Sequence, residues 1–152
     1  MSKGEKYCVN LEYITSRGTW YDYSWKADVS KSGGLPMNIG IHLFDVLYYL
    51  FGDVIDLRLL GKDKKTYYGE IELERAEVTW LLSTDYNRLP NYVKDSGLRT
   101  YRTLTFGDLN FDFSKGFENL HSKSYNEILN GNGFSIEDCE PSIDIVNSLM
   151  GF

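Results

Sequence analysis

The sequence predicts an α+β fold: an open, mostly antiparallel or mixed β-sheet with helices packed on one face. Three observations carry this. Apolar residues alternate with a period of two in several segments, as in half-buried strands. The segment GGLPMNIGIHLFDVLYYLF, residues 33–51, instead repeats them at helical spacing, with Ile39, Leu43, Val46, Leu47 and Leu50 on one side. Two further helical segments close the chain, so strands and helices are largely segregated.

From Tyr7 to Ile14, Tyr7, Val9, Leu11 and Tyr13 take one strand face and Cys8, Asn10, Glu12 and Ile14 the other. TSRGTWYDYSWK (15–26) is rich in aromatics and Thr around Gly18 and reads as a strand continuation with a bend. Residues 28–34 read as a polar loop leading to the helix, with Pro36 in its first turn and Gly52 as a left-handed cap. Val54 to Leu60 is a strand with Ile55, Leu57 and Leu59 on one face. Tyr67–Leu73 and Ala76–Ser83 form a hairpin turning at Glu74–Arg75, with Ala76, Val78, Trp80 and Leu82 on one face. Residues 85–98 contain Asn, Pro and Gly and read as a long excursion. Thr100–Phe106 and Leu109–Phe113 form a second hairpin with Gly107–Asp108 at its tip. A short helix follows from His121 to Asn130. The last helix runs from Cys139 to Met150, with Asp138 as N-cap, Pro141 in the first turn and Ile143, Val146 and Leu149 on its apolar face.

A length of 152 residues fits one domain, and 42% hydrophobic with 25% charged residues is an ordinary globular composition. The net charge of −6 argues against nucleic-acid or anionic-membrane partners but leaves room for a small anion held by local cations. The 12 tyrosines suit half-buried sheets, interfaces and sugar sites. An aromatic-rich outer sheet face predicts an oligomer packed sheet to sheet. Cys8 and Cys139 share no metal-ligand spacing with a histidine, so no metal site is expected, and both read as reduced thiols of a cytoplasmic protein. No apolar leader or membrane-spanning run is present.

Asn38, His42, Asp45 and Tyr49 recur on one helical face. An imidazole changes charge near neutral pH and can take a proton from a hydroxyl; an amide one turn earlier can orient that hydroxyl. Gly40 between them permits close approach. On spacing alone, a satisfied core histidine beside a packing glycine accounts for the same residues. Arg17 and Lys26, with Trp20, Tyr21 and Trp25, combine cations and rings as a nucleotide diphosphate sugar requires. A packed sheet face with cations at its rim is the alternative. Arg99, Tyr101 and Arg102 form a weaker cluster, and His121 caps a helix or faces solvent. No G-x-G-x-x-G follows a strand, so the chain has no visible dinucleotide site.

Gly33, Gly34, Asn38, Gly40, His42 and Asp45 of GGLPMNIGIHLFD resemble the signature helix of the C-terminal domain of the Gfo/Idh/MocA oxidoreductases. LEYITSRGTWYDYSWKAD (11–28), TYRTLTF and FENLHSKSYNEIL resemble the branch that oxidises UDP-N-acetyl-2-amino-2-deoxyglucuronate at its 3-hydroxyl in lipopolysaccharide O-antigen biosynthesis. The resemblance implies that residues 1–152 are a substrate-binding and oligomerisation domain. NAD and a lysine of a Glu-Lys-Pro motif would belong to an N-terminal Rossmann domain that is absent from this sequence; Glu5-Lys6 is followed by Tyr7 and is not that motif. It further implies His42 and Asn38 as catalytic residues and Arg17 as a substrate contact; Lys26, Trp25 and Tyr101 join as substrate contacts from their chemistry and proximity to the motifs. A UDP-sugar and a dimer or tetramer are the expected partners. The chain is expected to be inactive alone. The alternative is a non-catalytic sugar-binding or scaffold module that keeps the sheet interface.

Overall fold

The computed structural model describes residues 6–114 and 119–151. Glu5 of the Glu5-Lys6 pair and Phe117–Glu118 of the FENLHSKSYNEIL segment lie outside the described residues. In chain order the elements are β1 (Tyr7–Thr15), α1 (Trp20–Tyr23), a 3₁₀ turn (Trp25–Ala27), α2 (Val29–Ser32), a π turn (Pro36–Gly40) and α3 (Ile41–Phe51). Next come β2 (Val54–Lys62), β3 (Thr66–Leu73), β4 (Ala76–Ser83), a 3₁₀ turn (Tyr86–Arg88), α4 (Asn91–Asp95), β5 (Thr100–Phe106) and β6 (Leu109–Asp112). Helices α5 (Leu120–Leu129) and α6 (Ile136–Met150) complete the described chain. No described helix is long and apolar enough to cross a membrane.

The strands form one open six-stranded sheet in the order β2-β3-β4-β1-β5-β6. β1 and β4 pair in parallel and every other pairing is antiparallel, so the sheet is mixed, as the strand-rich pattern predicts. Leu11, Val78, Trp80, Leu82 and Leu104 point to one face, where Ile39, Phe44 and Leu47 of the helix and Val146 of α6 bury them. Phe44 meets Trp80 edge to face at 5.5 Å, a favoured aromatic geometry.

The opposite face is more charged than aromatic, with Tyr68 and Tyr101 toward one end. It carries Asn10, Arg58, Glu70, Glu77 and Thr79, with Arg58 paired to Glu70 at 3.2 Å. Tyr7, Tyr13, Tyr67 and Trp80 sit instead on the helix-covered side, because the period-two alternation assigns odd positions of β1 and β3 and even positions of β4 to it. At one end of the outer face, the 85–98 excursion folds back so that Leu89 and Val93 bury Ile14 beside Leu81 and Tyr101.

Several local expectations shift for identifiable reasons. Of residues 15–26 only Thr15 is in a strand: beyond it the neighbours β4 and β5 have ended, at Ser83 and Thr100, so the chain turns into α1 and a 3₁₀ turn. Residues 28–34 are not only loop. Asp28 caps α2 by accepting from Ser30 N at 3.1 Å, and Gly33 closes it at φ 71°. A bulge between Val54 and Asp56 turns Ile55 outward to 58% exposure, so Val54, Leu57 and Leu59 face the core. Gly52 has φ 85° and ψ −161°, a glycine conformation but not the left-handed helical one.

Helix α6 starts one turn early, with a capping box between Ser135 and Asp138, which leaves Pro141 inside it. Its buried stripe is Ser142, Ile145, Val146 and Leu149, with Ile143 at the rim.

Gly40 decides how closely the helix approaches the sheet. A Cβ there would stand 2.6 Å from Leu82 Cδ1 and 2.9 Å from Phe44 Cε2. Overpacking of this kind costs about 1–3 kcal/mol, against at most about 1 kcal/mol gained in helix propensity. Gly40→Ala is therefore expected to destabilise the chain by about 1 kcal/mol, read as a lower urea midpoint with an unchanged slope.

Candidate functional site

One end of the sheet gathers the loops. The parallel register sets Ile14 beside Ser83, and the antiparallel registers set Thr66 beside Ser83 and Thr100 beside Thr15. Two hydroxyl contacts close this end, Thr15 Oγ1 with Thr100 Oγ1 and Thr66 Oγ1 with Ser83 Oγ, both at 3.0 Å. The segment from Ser16 to Gly40 starts and finishes here, since Gly40 is seated on Leu82 of β4.

Within that segment the Lys26 carbonyl is a junction. Ser32 Oγ donates to it at 2.9 Å and Asn38 Nδ2 reaches it at 3.4 Å. Asn38 Nδ2 also donates to the Gly34 carbonyl at 2.8 Å, and Gly34 N donates to Ser32 Oγ at 3.1 Å. Gly33 and Gly34 between them hold φ angles of 71° and 69°, where a side chain would strain the backbone. Asn38 thus spends its NH₂ on two carbonyls and keeps only the acceptor Oδ1. Ser32, 6% exposed, is sealed into the same knot.

Beside this knot, Tyr21, Asp22, Lys26, Gly34, Lys64 and Tyr67 line a narrow crevice of about 20 Å³, far too small to enclose a sugar. Lys64 approaches Asp22 at 3.8 Å. Tyr21 Oη is buried without a hydrogen-bond partner among the described residues. Burial pushes the Tyr21 hydroxyl pKa up, opposed by the charge of Arg17, with Tyr67 and Asp22 adding to the rise. Tyr67 is raised by burial first and by Asp63 second. Both phenols therefore remain protonated donors at neutral pH. The Lys26 ammonium lies 5.8 Å from the ring centre of Trp25, which is largely exposed.

The structure therefore brings Lys26 and Asn38 together, with Trp25 adjoining and Arg17 close enough to act on Tyr21. His42 follows on α3, exposed and without a side-chain hydrogen bond among the described residues, so it is not a satisfied core histidine. Tyr101 is not brought to this cluster. It pairs with Ile14 on the outer face and meets Tyr92 edge to face at 6.2 Å. Ser32, Lys64 and Tyr67 are participants that the sequence does not single out. Tyr67 arrives through strand register, and only the Ser-Gly-Gly triplet hints at Ser32. No group of three His, Cys, Asp or Glu among the described residues could hold a metal ion.

The fold has close counterparts. The WlbA (WbpB) dehydrogenase from Thermus thermophilus, in complex with NAD and UDP-GlcNAcA, is 39% identical over 95% of this chain, with a TM-score of 0.90. The same dehydrogenase with NAD and alpha-ketoglutarate superposes with a TM-score of 0.91. This chain covers 47% of theirs, so it spans about half their length. An oxidoreductase from Agrobacterium radiobacter, in complex with NAD+, L-tartaric acid and magnesium, shares the fold at a TM-score of 0.54 and 11% identity, over 99% of this chain and 54% of its own. Residues 4–100 match the family model described as the oxidoreductase family, C-terminal alpha/beta domain, and the chain belongs to that family, the Gfo/Idh/MocA oxidoreductases.

Proposed function

We propose that this chain is the substrate-binding and oligomerisation domain of an NAD-dependent nucleotide-sugar dehydrogenase. Its reaction is oxidation of the 3-hydroxyl of UDP-N-acetylglucosaminuronate, in the cytoplasm, for surface polysaccharide. The observation that carries this is 39% identity across 95% of the chain to a dehydrogenase bound to NAD and UDP-GlcNAcA. Residues 1–152 act as one domain, and the charged outer face of the sheet is where copies associate.

Each site residue has a part that its geometry supports. Asn38 Oδ1, left free by the two bonds of its NH₂, accepts a sugar hydroxyl. His42, exposed on the next turn, takes the proton of the 3-hydroxyl. Arg17 and Lys26 face the anionic groups, and Trp25 offers a ring face to the sugar. With only about 20 Å³ enclosed, the substrate rests on the rim of the crevice and a second surface is needed to cover it.

The described residues do not fit the dinucleotide. β1 runs into Ser16-Arg17-Gly18 and a four-residue helix, with no glycine-rich turn opening onto a long helix N-terminus. No step of the reaction is assigned to the cofactor on this chain.

Calorimetric titration of the chain with UDP-N-acetylglucosaminuronate is expected to show binding, and incubation with that sugar and NAD to yield no NADH. NADH formed by the chain alone would overturn the assignment of the cofactor site elsewhere. A stable oligomer that binds no UDP-sugar would instead favour the scaffold reading. Asn38→Asp points a carboxylate at the Lys26 and Gly34 carbonyls. It is expected to cost about 1–3 kcal/mol of stability and to weaken UDP-sugar binding, whereas His42→Ala leaves the melting temperature unchanged.

A further inference from the structure

A second hollow opens at the same end of the sheet. Ser16, Tyr86, Lys94, Gly97, Leu98 and Arg99 line an open groove of about 350 Å³. Ligand pockets run from about 300 to 1,000 Å³, so it suits part of a nucleotide sugar. Its floor is tied down where Ser16 N donates to the Arg99 carbonyl at 2.8 Å.

The lining is cationic in an acidic protein. The chain has 22 Asp and Glu against 16 Lys and Arg, yet no carboxylate lines the groove. Lys6, Lys31, Arg58 and Lys64 are paired with carboxylates, whereas Arg17, Lys94 and Arg99 have no such pair among the described residues. Lys94 is held in place: its Nζ donates to the Asn87 carbonyl at 2.9 Å and lies 5.6 Å from the centre of the Tyr86 ring. An ammonium has three N–H groups, so two remain for an anion. Arg17 follows Ser16 directly, and its charge reaches Tyr21 in the crevice beside Lys26. Ser16–Arg17 therefore links the groove to the Asn38 knot.

We propose that this groove is the subsite for the diphosphate of a nucleoside diphosphate sugar, with Lys94 and Arg99 as the phosphate contacts. Arg17 bridges to the sugar end at Asn38 and His42. The inference rests on the nucleotide-sugar reading above, and it adds two residues and a location which that reading lacks.

Titrating the full chain with UDP, and separately with UDP-N-acetylglucosaminuronate, tests it. Lys94→Ala and Arg99→Ala are each expected to weaken both ligands about ten- to a hundredfold, the loss of one charge-assisted hydrogen bond. Lys123→Ala, on exposed α5, leaves both affinities unchanged. Wild-type binding of the UDP-sugar that neither groove variant weakens overturns the groove and leaves the nucleotide-sugar reading standing. UDP binding that depends on Lys94 and Arg99, with a UDP-sugar that gains nothing over UDP and loses nothing in Asn38→Asp, supports the groove and sinks that reading. Failure of UDP and UDP-sugar to bind overturns both.

Discussion

The carbonyl of Lys26 is the point on which the site depends. It accepts from Ser32 and Asn38, and Asn38 simultaneously holds the Gly34 carbonyl. Carbonyls withdrawn from water need partners, and these are supplied where residues 27–37 bend back on themselves through two glycines with positive φ. Once closed, this knot sets where the π turn begins and hence where Gly40 meets Leu82 and Phe44 meets Trp80. An amide serves here for a reason a carboxylate cannot meet: it can give two N–H bonds inward and still present an oxygen outward.

Strand direction explains why so much chemistry collects at one end. β1 and β4 run parallel, so their C-terminal ends coincide, and the antiparallel partners β3 and β5 begin there. Two connections at that end are long, residues 16–40 and 84–99, and 63–65 is a tight turn between them. At the opposite end the chain turns tightly, at 74–75 and 107–108. Short turns carry little beyond the geometry of the hairpin, whereas long connections have room for short helices, cations and exposed rings.

Much of the fold was legible because it rests on local periodicity. The alternation in β1, β3, β4 and β5 and the helical stripe Ile39, Leu43, Leu47 are properties of contiguous residues. What was not legible depends on where distant segments end. Residues 15–26 have strand propensity, but no partner extends beyond Ser83 and Thr100. The outward turn of Ile55 comes from a bulge, which a period-two reading cannot place. In the site, Asn38 and Lys26 were visible as chemistry-bearing residues. Their bond through the Lys26 carbonyl, twelve residues apart, was not. Tyr101 illustrates the cost of a single step of alternation: its neighbour Thr100 closes the site end against Thr15, while Tyr101 itself points to the outer face.

Net charge is a poor guide to what this protein attracts. The eight residues of β4 span about 26 Å, while a charge in physiological salt is felt over about 8 Å. Glu72, Glu74 and Glu77 cluster at the hairpin end and are screened from the other. At the loop end, Asp28, Asp63 and Asp85 accept backbone N–H groups, and Asp22 faces Lys64. Asp28 is also paired with Lys31, whereas Arg17, Lys94 and Arg99 have no carboxylate pair among the described residues. With Lys26 they add positive charge at this end, and an anion approaching it meets an attractive surface on a molecule that is negative overall.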